Sequence, residues 1–352
     1  MRRIALGLGI ATLLVVAPVQ AADDLLLDRF RDYVDALRGQ AGIPGLAATL
    51  VGRSDVLWEH ASGLQDVERS IAARPDTPFN IDGLTQLFTT AVVLRCAEEG
   101  RLSLDDQVDI YKSGTAEPSA TLRQLLTNTS GPPDALSFTY QPSRLEPMGT
   151  VIRKCTDDSY RETFAKLFER FAMVDSVPGA DAVTIKPPTE GIPTAEEKAR
   201  YADVLARLAP GYVVDRRGRA TLSARGDSPL TAFGGIVSTV RDLARFDLAL
   251  RTGVMLRDET LAAAWSPQLG RDRSPLPYGM GWFVQSYNGE RVVWQFGQTE
   301  NASSSLMITL PGRGLTLILL ANSDGLTKAL PLSAGDVSVS PFARVFLGLF
   351  AR

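Results

Sequence analysis

The stretch Asp76-Thr77-Pro78-Phe79-Asn80-Ile81-Asp82-Gly83-Leu84-Thr85-Gln86-Leu87-Phe88-Thr89 decides the fold. Asp76-Thr77-Pro78 reads as a loop leading to Phe79 and Ile81. From about residue 84 to 99, Leu87, Phe88, Ala91, Val92 and Cys96 recur at helical spacing, and Gly100 is the stop. Upstream, residues 46–51 and 56–61 are strand-like and pair across a turn at 52–55. Before them, Leu26, Phe30, Val34 and Leu37 mark a helix over 23–38, ended by Gly39.

Downstream the texture changes. Residues 104–108, 121–127 and 159–171 read as short helices and connectors, and 186–195, rich in Pro and Gly, as a surface loop. A helix is expected over 242–250. Strands are expected over 281–285, 291–295, 304–310 and 315–322, antiparallel, with turns at Asn288-Gly289 and 312–314. A closing helix covers 341–349. This order predicts an α/β fold of the α+β kind: an antiparallel sheet flanked by N- and C-terminal helices, with an inserted helical lobe. The sheet lobe takes about 23–80 and 230–352, and the helical lobe about 81–229. A cleft between them is where a small-molecule site is expected.

Composition bounds the function. The 352 residues are 45% hydrophobic and 22% charged, with net charge −3, which is ordinary for a globular chain. No basic stripe offers a nucleic-acid footprint. Arg2 and Arg3, an apolar run over 4–19, then Ala21 and Ala22 before Asp23 and Asp24 read as a signal peptide over 1–22. A membrane anchor is the competing reading, but the run is shorter than the roughly 20 residues a span needs, and Pro18 sits near its end. The expectation is a periplasmic or secreted chain over 23–352, with no membrane span after signal removal. Cys96 and Cys155 either form a disulfide, which an oxidising compartment permits, or remain two buried thiols. With one histidine, His60, and no cysteine pair at ligand spacing, no metal or other cofactor is expected.

Several strings occur in a recognisable order. They are Asp76-Thr77-Pro78-Phe79, then Glu98-Glu99-Gly100-Arg101-Leu102-Ser103-Leu104-Asp105-Asp106, then Thr121-Leu122-Arg123-Gln124-Leu125-Leu126-Thr127-Asn128-Thr129-Ser130-Gly131. Gly234-Gly235-Ile236-Val237-Ser238, Tyr278-Gly279-Met280-Gly281-Trp282 and Leu320-Ala321-Asn322-Ser323 follow. Together they resemble the penicillin-recognising serine hydrolases: class C β-lactamases, D,D-peptidases and related esterases. The resemblance covers nearly all of residues 23–352.

That resemblance implies three catalytic elements. A Ser three residues before a Lys on one helix supplies nucleophile and base. A Tyr-x-Asn element assists proton transfer, and a Lys/His-x-Gly element on a strand edges the cleft. Aligned on that plan, Gly83 stands at the nucleophile and Gln86 at the base. Glycine has no nucleophile, and an amide does not titrate near neutral pH. The second element aligns to Tyr140-Gln141-Pro142, so the Tyr is kept and Pro142 replaces the Asn. The third aligns to Gln295-Phe296-Gly297, with the cation replaced by Gln295 and Gly297 retained, just before Gln298. Asn128 stands where the family often has His.

No lysine elsewhere has a Ser three residues before it, and no Gly-x-Ser-x-Gly elbow is present. Loss of the nucleophile alone costs on the order of 10⁶ in turnover. His60, beside Trp58 on a strand, reads as a packed or surface residue. Asp105 and Asp106 read as solvated residues of a connector, and Arg216, Arg217 and Arg219 as a hairpin turn. Tyr140, Gln295 and Gln298 are ligand-binding candidates, each weighed against an ordinary packed or exposed role.

Three readings of function stand open. The first is a non-catalytic protein holding a small molecule, peptide, cell-wall fragment or protein partner in the former cleft. The second is a working esterase, β-lactamase or peptidase using Thr85, Tyr140 or Ser130. The third is an envelope protein whose cleft is filled by Phe296 and its neighbours. Restoring Gly83→Ser with Gln86→Lys is expected to return acylation only where the rest of the cleft is intact.

Overall fold

A computed structural model describes residues 17–130, 137–186, 191–225 and 229–351. In chain order, α1 (Ala17–Gln40) leads to β1 (Gly45–Val51), β2 (Val56–Asp66), β3 (Ile71–Ala72) and β4 (Phe79–Asn80). Then come α2 (Thr85–Glu98), α3 (Leu122–Leu126), β5 (Thr129–Ser130) and β6 (Ser137–Phe138). Helices α4 (Met148–Thr156), α5 (Tyr160–Arg170) and α6 (Ala195–Ala206) precede β7 (Tyr212–Val214), β8 (Ala220–Leu222) and β9 (Val237–Ser238). Helices α7 (Val240–Arg251) and α8 (Asp258–Ala264) are followed by β10 (Phe283–Tyr287), β11 (Glu290–Thr299), β12 (Ser303–Leu310), β13 (Leu315–Ala321) and α9 (Pro341–Phe350).

The main sheet has seven antiparallel strands in the order β10-β11-β12-β13-β1-β2-β3. Its centre is covered on both faces, so β1 and β12 are buried at every residue, β12 including the serines 303–305 at its start. Alternation divides them. Leu46, Ala48 and Leu50 pack with Phe30, Phe342 and Phe346 of α1 and α9, while Ala47 and Val51 pack with Leu87 and Phe88 of α2. The Asn288-Gly289 turn holds both residues at positive φ, as a tight hairpin between β10 and β11 requires.

Helix α2 is the buried axis of the second layer. Phe88 stacks on Phe246 of α7 with ring centroids 3.8 Å apart, and eleven of its fourteen residues are buried. Cys96 near its end forms a disulfide with Cys155 on α4. The two alternatives left open by the sequence thus resolve to a cross-link between two helices 59 residues apart.

The middle of the chain departs from expectation. Residues 104–106 form a turn, and only Val108–Ile110 makes a single 3-10 turn. Helices α4, α6 and α8 went unforeseen. In α4, Gly149 and the β-branched run Thr150-Val151-Ile152 are poor helix formers, and packing of Met148, Val151 and Ile152 into the core overrides them. In α6 a capping box joins Thr194 and Glu197, a local signal passed over. Strand β10 starts at 283, because Gly281 sits at φ +83 with its missing Cβ against Thr90. Most of the expected signal segment, residues 1–16, lies outside the described residues, and 17–22 form the first turns of α1. Among the described residues, no helix is long and apolar enough to cross a membrane.

Candidate functional site

The site forms where the start of α2 meets the far end of β11. Strand β4 pairs with β9, and the Ser305 hydroxyl donates to the Ile81 carbonyl at 2.7 Å. This pins the 3-10 turn Asp82–Leu84 against the sheet. Asp82 has φ +48 and is buried. Its Oδ1 accepts from Thr299 Oγ1 at 2.6 Å and Ser303 Oγ at 3.1 Å, while Oδ2 has no partner. Burial without a cation pushes its pKa up to about 6.

Gly83 follows, and its backbone lies directly on β11. A Cβ placed on Gly83 would sit 2.5 Å from the Phe296 carbonyl oxygen and 3.1 Å from Gly297 Cα. A Cβ on Gly297 would sit 2.4 Å from Gly83 N. Two backbones therefore meet where a side chain would have to stand.

Behind this contact runs a chain of neutral hydrogen bonds. Gln86 Nε2 donates to the Gly83 carbonyl at 3.1 Å and to Tyr140 Oη at 2.9 Å. Tyr140 Oη donates to Gln295 Oε1 at 3.2 Å. Gln295 Nε2 donates to Tyr278 Oη and to the Gly281 carbonyl, both at 3.0 Å, and the Phe296 N–H donates to Gln295 Oε1 at 2.9 Å. Gln86 and Gln295 are fully buried. Burial raises the pKa of Tyr140 and Tyr278 above the usual phenol value. The chain holds two amides and two neutral phenols, and none of them takes up a proton near neutral pH.

Aromatic rings close the space around it. Tyr140 lies 4.9 Å from Phe283, 5.4 Å from Phe296 and 5.9 Å from Tyr278 between ring centroids, and Phe283 stacks on Trp294 at 4.2 Å. Asn128 holds the Tyr140 loop, its Oδ1 accepting from the Gln141 N–H at 2.9 Å. Pro142 opens a 3-10 turn and brings no side-chain polar group.

The structure brings Gly83, Gln86, Tyr140, Gln295 and Gly297 together. Gln298 is exposed on β11 opposite Ser304, pointing away from the cluster's polar core. Gln295, a ligand-binding candidate by alignment, spends its amide on internal partners and reaches no solvent. Thr85 is fully buried, its Oγ1 accepting from the Ile236 N–H at 3.4 Å. The Ser130 side chain lies outside the described residues.

His60 bonds Asp35 Oδ1 at 2.8 Å and stacks near Trp58 on β2, four strands from β11. Asp105 pairs with Arg123, Asp106 accepts from Tyr111 Oη, and the Arg216–Arg219 turn closes the β7–β8 hairpin with Asp215 on Arg219. Among the described residues, no group of three or more His, Cys, Asp or Glu is placed to hold a metal ion. Asp82 is the site residue that sequence reading missed. The available signal was a lone carboxylate between Ile81 and a glycine at the head of an apolar helix.

Such a sheet, with a buried helix aimed at the end of β11 and a tyrosine loop facing it, defines a protein of the β-lactamase and penicillin-binding-protein architecture. The chain belongs to the beta-lactamase family, whose family model matches residues 30–334. It is 26% identical over 306 residues to Protein flp of Staphylococcus aureus strain MW2, which covers 80% of this chain and 60% of that protein. It is 23% identical to Penicillin-binding protein 4* of Bacillus subtilis strain 168, covering 77% of this chain and 66% of that one. The chain thus spans about two thirds or less of the length of these relatives. Among solved structures, the octameric penicillin-binding protein homologue from Pyrococcus abyssi superposes with a TM-score of 0.71 at 20% identity, over 91% of this chain and 77% of that one. The D-amino acid amidase of Ochrobactrum anthropi SV3 gives 0.70 at 18%, over 92% and 99%. These likenesses are to the fold.

Proposed function

We propose that this chain is an exported, non-hydrolytic member of the beta-lactamase family, with its former active site filled by its own backbone and side chains. The observation that carries the reading is the contact of Gly83 with Phe296 and Gly297, which leaves no room for an attacking side chain. The neutral chain Gln86–Tyr140–Gln295–Tyr278 supports it, because it offers no base to take a hydroxyl proton. Oxyanion stabilisation without a nucleophile leaves roughly 10³–10⁴ over water.

The same packing bears on the ligand. A peptide or cell-wall fragment entering at Tyr140 and Gln295 would have to break four buried hydrogen bonds among them and displace the Phe296 ring. The protein's role then lies in contacts made by its surface, and Gln298 is the one ligand-binding candidate that is solvent-exposed. Export rests on the signal-like segment 1–22 and agrees with the Cys96–Cys155 disulfide.

Incubation with a fluorescent penicillin and a fluorophosphonate, followed by intact-mass measurement, tests inactivity. No adduct is expected, and an adduct on Thr85, Tyr140, Ser130 or any other residue overturns the reading. Fractionation with N-terminal sequencing tests export, and the expected mature start lies near Ala22.

A further inference from the structure

A cavity lies behind the Tyr140 loop, and its lining includes none of Gly83, Gln86, Tyr140 or Gln295. It measures about 320 Å³ and is lined by Arg144, Thr115, Glu117, Val108, Leu125 and Phe233, among others. Arg144 sits on the Pro142–Leu145 turn and is only 7% exposed. Its guanidinium is partly spent. Nε donates to Glu117 Oε1 at 2.9 Å, and Nη2 donates to the other Glu117 oxygen and, at 2.8 Å, to the Thr129 carbonyl. Nη1 has no partner. Thr115, on the same cavity wall, has a buried Oγ1 that also has none.

Unsatisfied buried donors of this kind are uncommon and call for a partner. Two in one cavity of this size, beside Val108, Leu125 and Phe233, describe a site with one polar end and an apolar wall. Water could satisfy the two donors, but it would leave the apolar wall wet.

We propose that this cavity binds a small uncharged molecule whose carbonyl oxygen accepts from Arg144 Nη1 and Thr115 Oγ1, with an apolar body against Val108, Leu125 and Phe233. Charge selects the neutral carbonyl. Glu117 already balances Arg144, and Lys112 pairs with Glu146 at the rim, so a carboxylate would leave a net negative charge in a half-enclosed space. An ammonium would face the Arg144 cation across the cavity, and the carboxylates beside it are already engaged in ion pairs with Arg144 and Lys112. Because Arg144 also holds the Thr129 carbonyl, an occupant would brace the strand and turn that present Tyr140.

The test uses the full chain and backbone-amide chemical-shift mapping. 4-Methylpentanamide is titrated beside 4-methylpentanoate and 4-methylpentylamine, which keep the same apolar body and change only the polar end. The neutral amide should give saturable shifts at residues 115–117 and 141–146, with the carboxylate at least about tenfold weaker and the amine inert. Arg144 variants lose the Thr129 contact and risk misfolding, so Thr115→Val carries the mutational arm. It should weaken the amide about five- to tenfold at unchanged melting temperature. Absence of saturable shifts, tighter binding of the carboxylate or amine, or Thr115→Val affinity equal to that of the parent chain overturns the proposal.

Discussion

Gly83 and Gly297 pack backbone against backbone: a Cβ on either one would lie within 2.5 Å of a main-chain atom of the facing segment. Residue 83 is where relatives of this fold carry the attacking hydroxyl, by the resemblance drawn from sequence. On the proposed reading, the obstacle to an attacking side chain at this position is steric as well as chemical. The missing side chain and the approach of β11 complement each other, and Asp82 ties the two together through Thr299 and Ser303.

Gly83→Ser, alone or with Gln86→Lys, should give no acyl adduct with a fluorescent penicillin. The new Cβ would press on the Phe296 carbonyl, which belongs to a strand hydrogen-bonded on both sides, to β10 and β12, and has little freedom to move. Overpacking of this kind costs about 1–3 kcal/mol, so urea unfolding of Gly83→Ser should show a loss in that range. An adduct on the double variant would mean that β11 yields.

Asp82→Asn should flatten a pH dependence. The folded pKa, about 6, stands above the 3.8 of an ordinary aspartate. A raised carboxyl pKa contributes stability that is full below about pH 4 and is lost as pH rises through about 6. The two-unit difference corresponds to about 3 kcal/mol. Asn keeps the Oδ1 acceptor and tolerates φ +48. Unfolding of both proteins at pH 4, 6 and 8 should show the parent losing ground relative to Asp82→Asn as pH increases, and parallel curves would exclude Asp82 as the source.

Tyr140→Phe should cost about 1–2 kcal/mol with no change in probe labelling. It removes the hydroxyl between Gln86 Nε2 and Gln295 Oε1, so each of these buried amide atoms loses one of its two partners and keeps only the Gly83 carbonyl or the Phe296 N–H. Denaturant titration measures this directly. A neutral effect would show the chain to be slack.

Removing the cross-link with Cys96→Ala and Cys155→Ala together should destabilise the protein by about 4 kcal/mol, the chain-entropy expectation for a loop of 59 residues. The same loss should appear on reduction of the parent chain. Loss below about 1 kcal/mol would mean that α2 and α4 hold together by packing alone.

Much of the frame was legible because its signals are local. Helical spacing of Leu87, Phe88, Ala91 and Val92 located α2, and Asn288-Gly289 located the β10–β11 hairpin. Helices α4 and α6 were harder, although α5 between them was expected over 159–171. Helix α4 carries Gly149 and three β-branched residues in succession and is helical because of what it packs against. Likewise the alignment named Gly83, Gln86, Tyr140, Gln295 and Gly297, and all five meet. It gave no hint that Gln295 has no solvent contact, or that Asp82 shares the site.

Residue chemistry alone settled that position 83 holds no nucleophile and position 86 no titrating base, since side-chain type fixes both wherever the chain runs. The apolar periods and turn residues likewise dictated an antiparallel sheet with covering helices. The close approach of Gly83 to β11, the neutral hydrogen-bond chain through Tyr140, the burial of Asp82 and the Cys96–Cys155 bond were decided by tertiary structure. Each depends on groups from 54 to 221 positions apart being pressed together, and burial and pairing are properties of that contact.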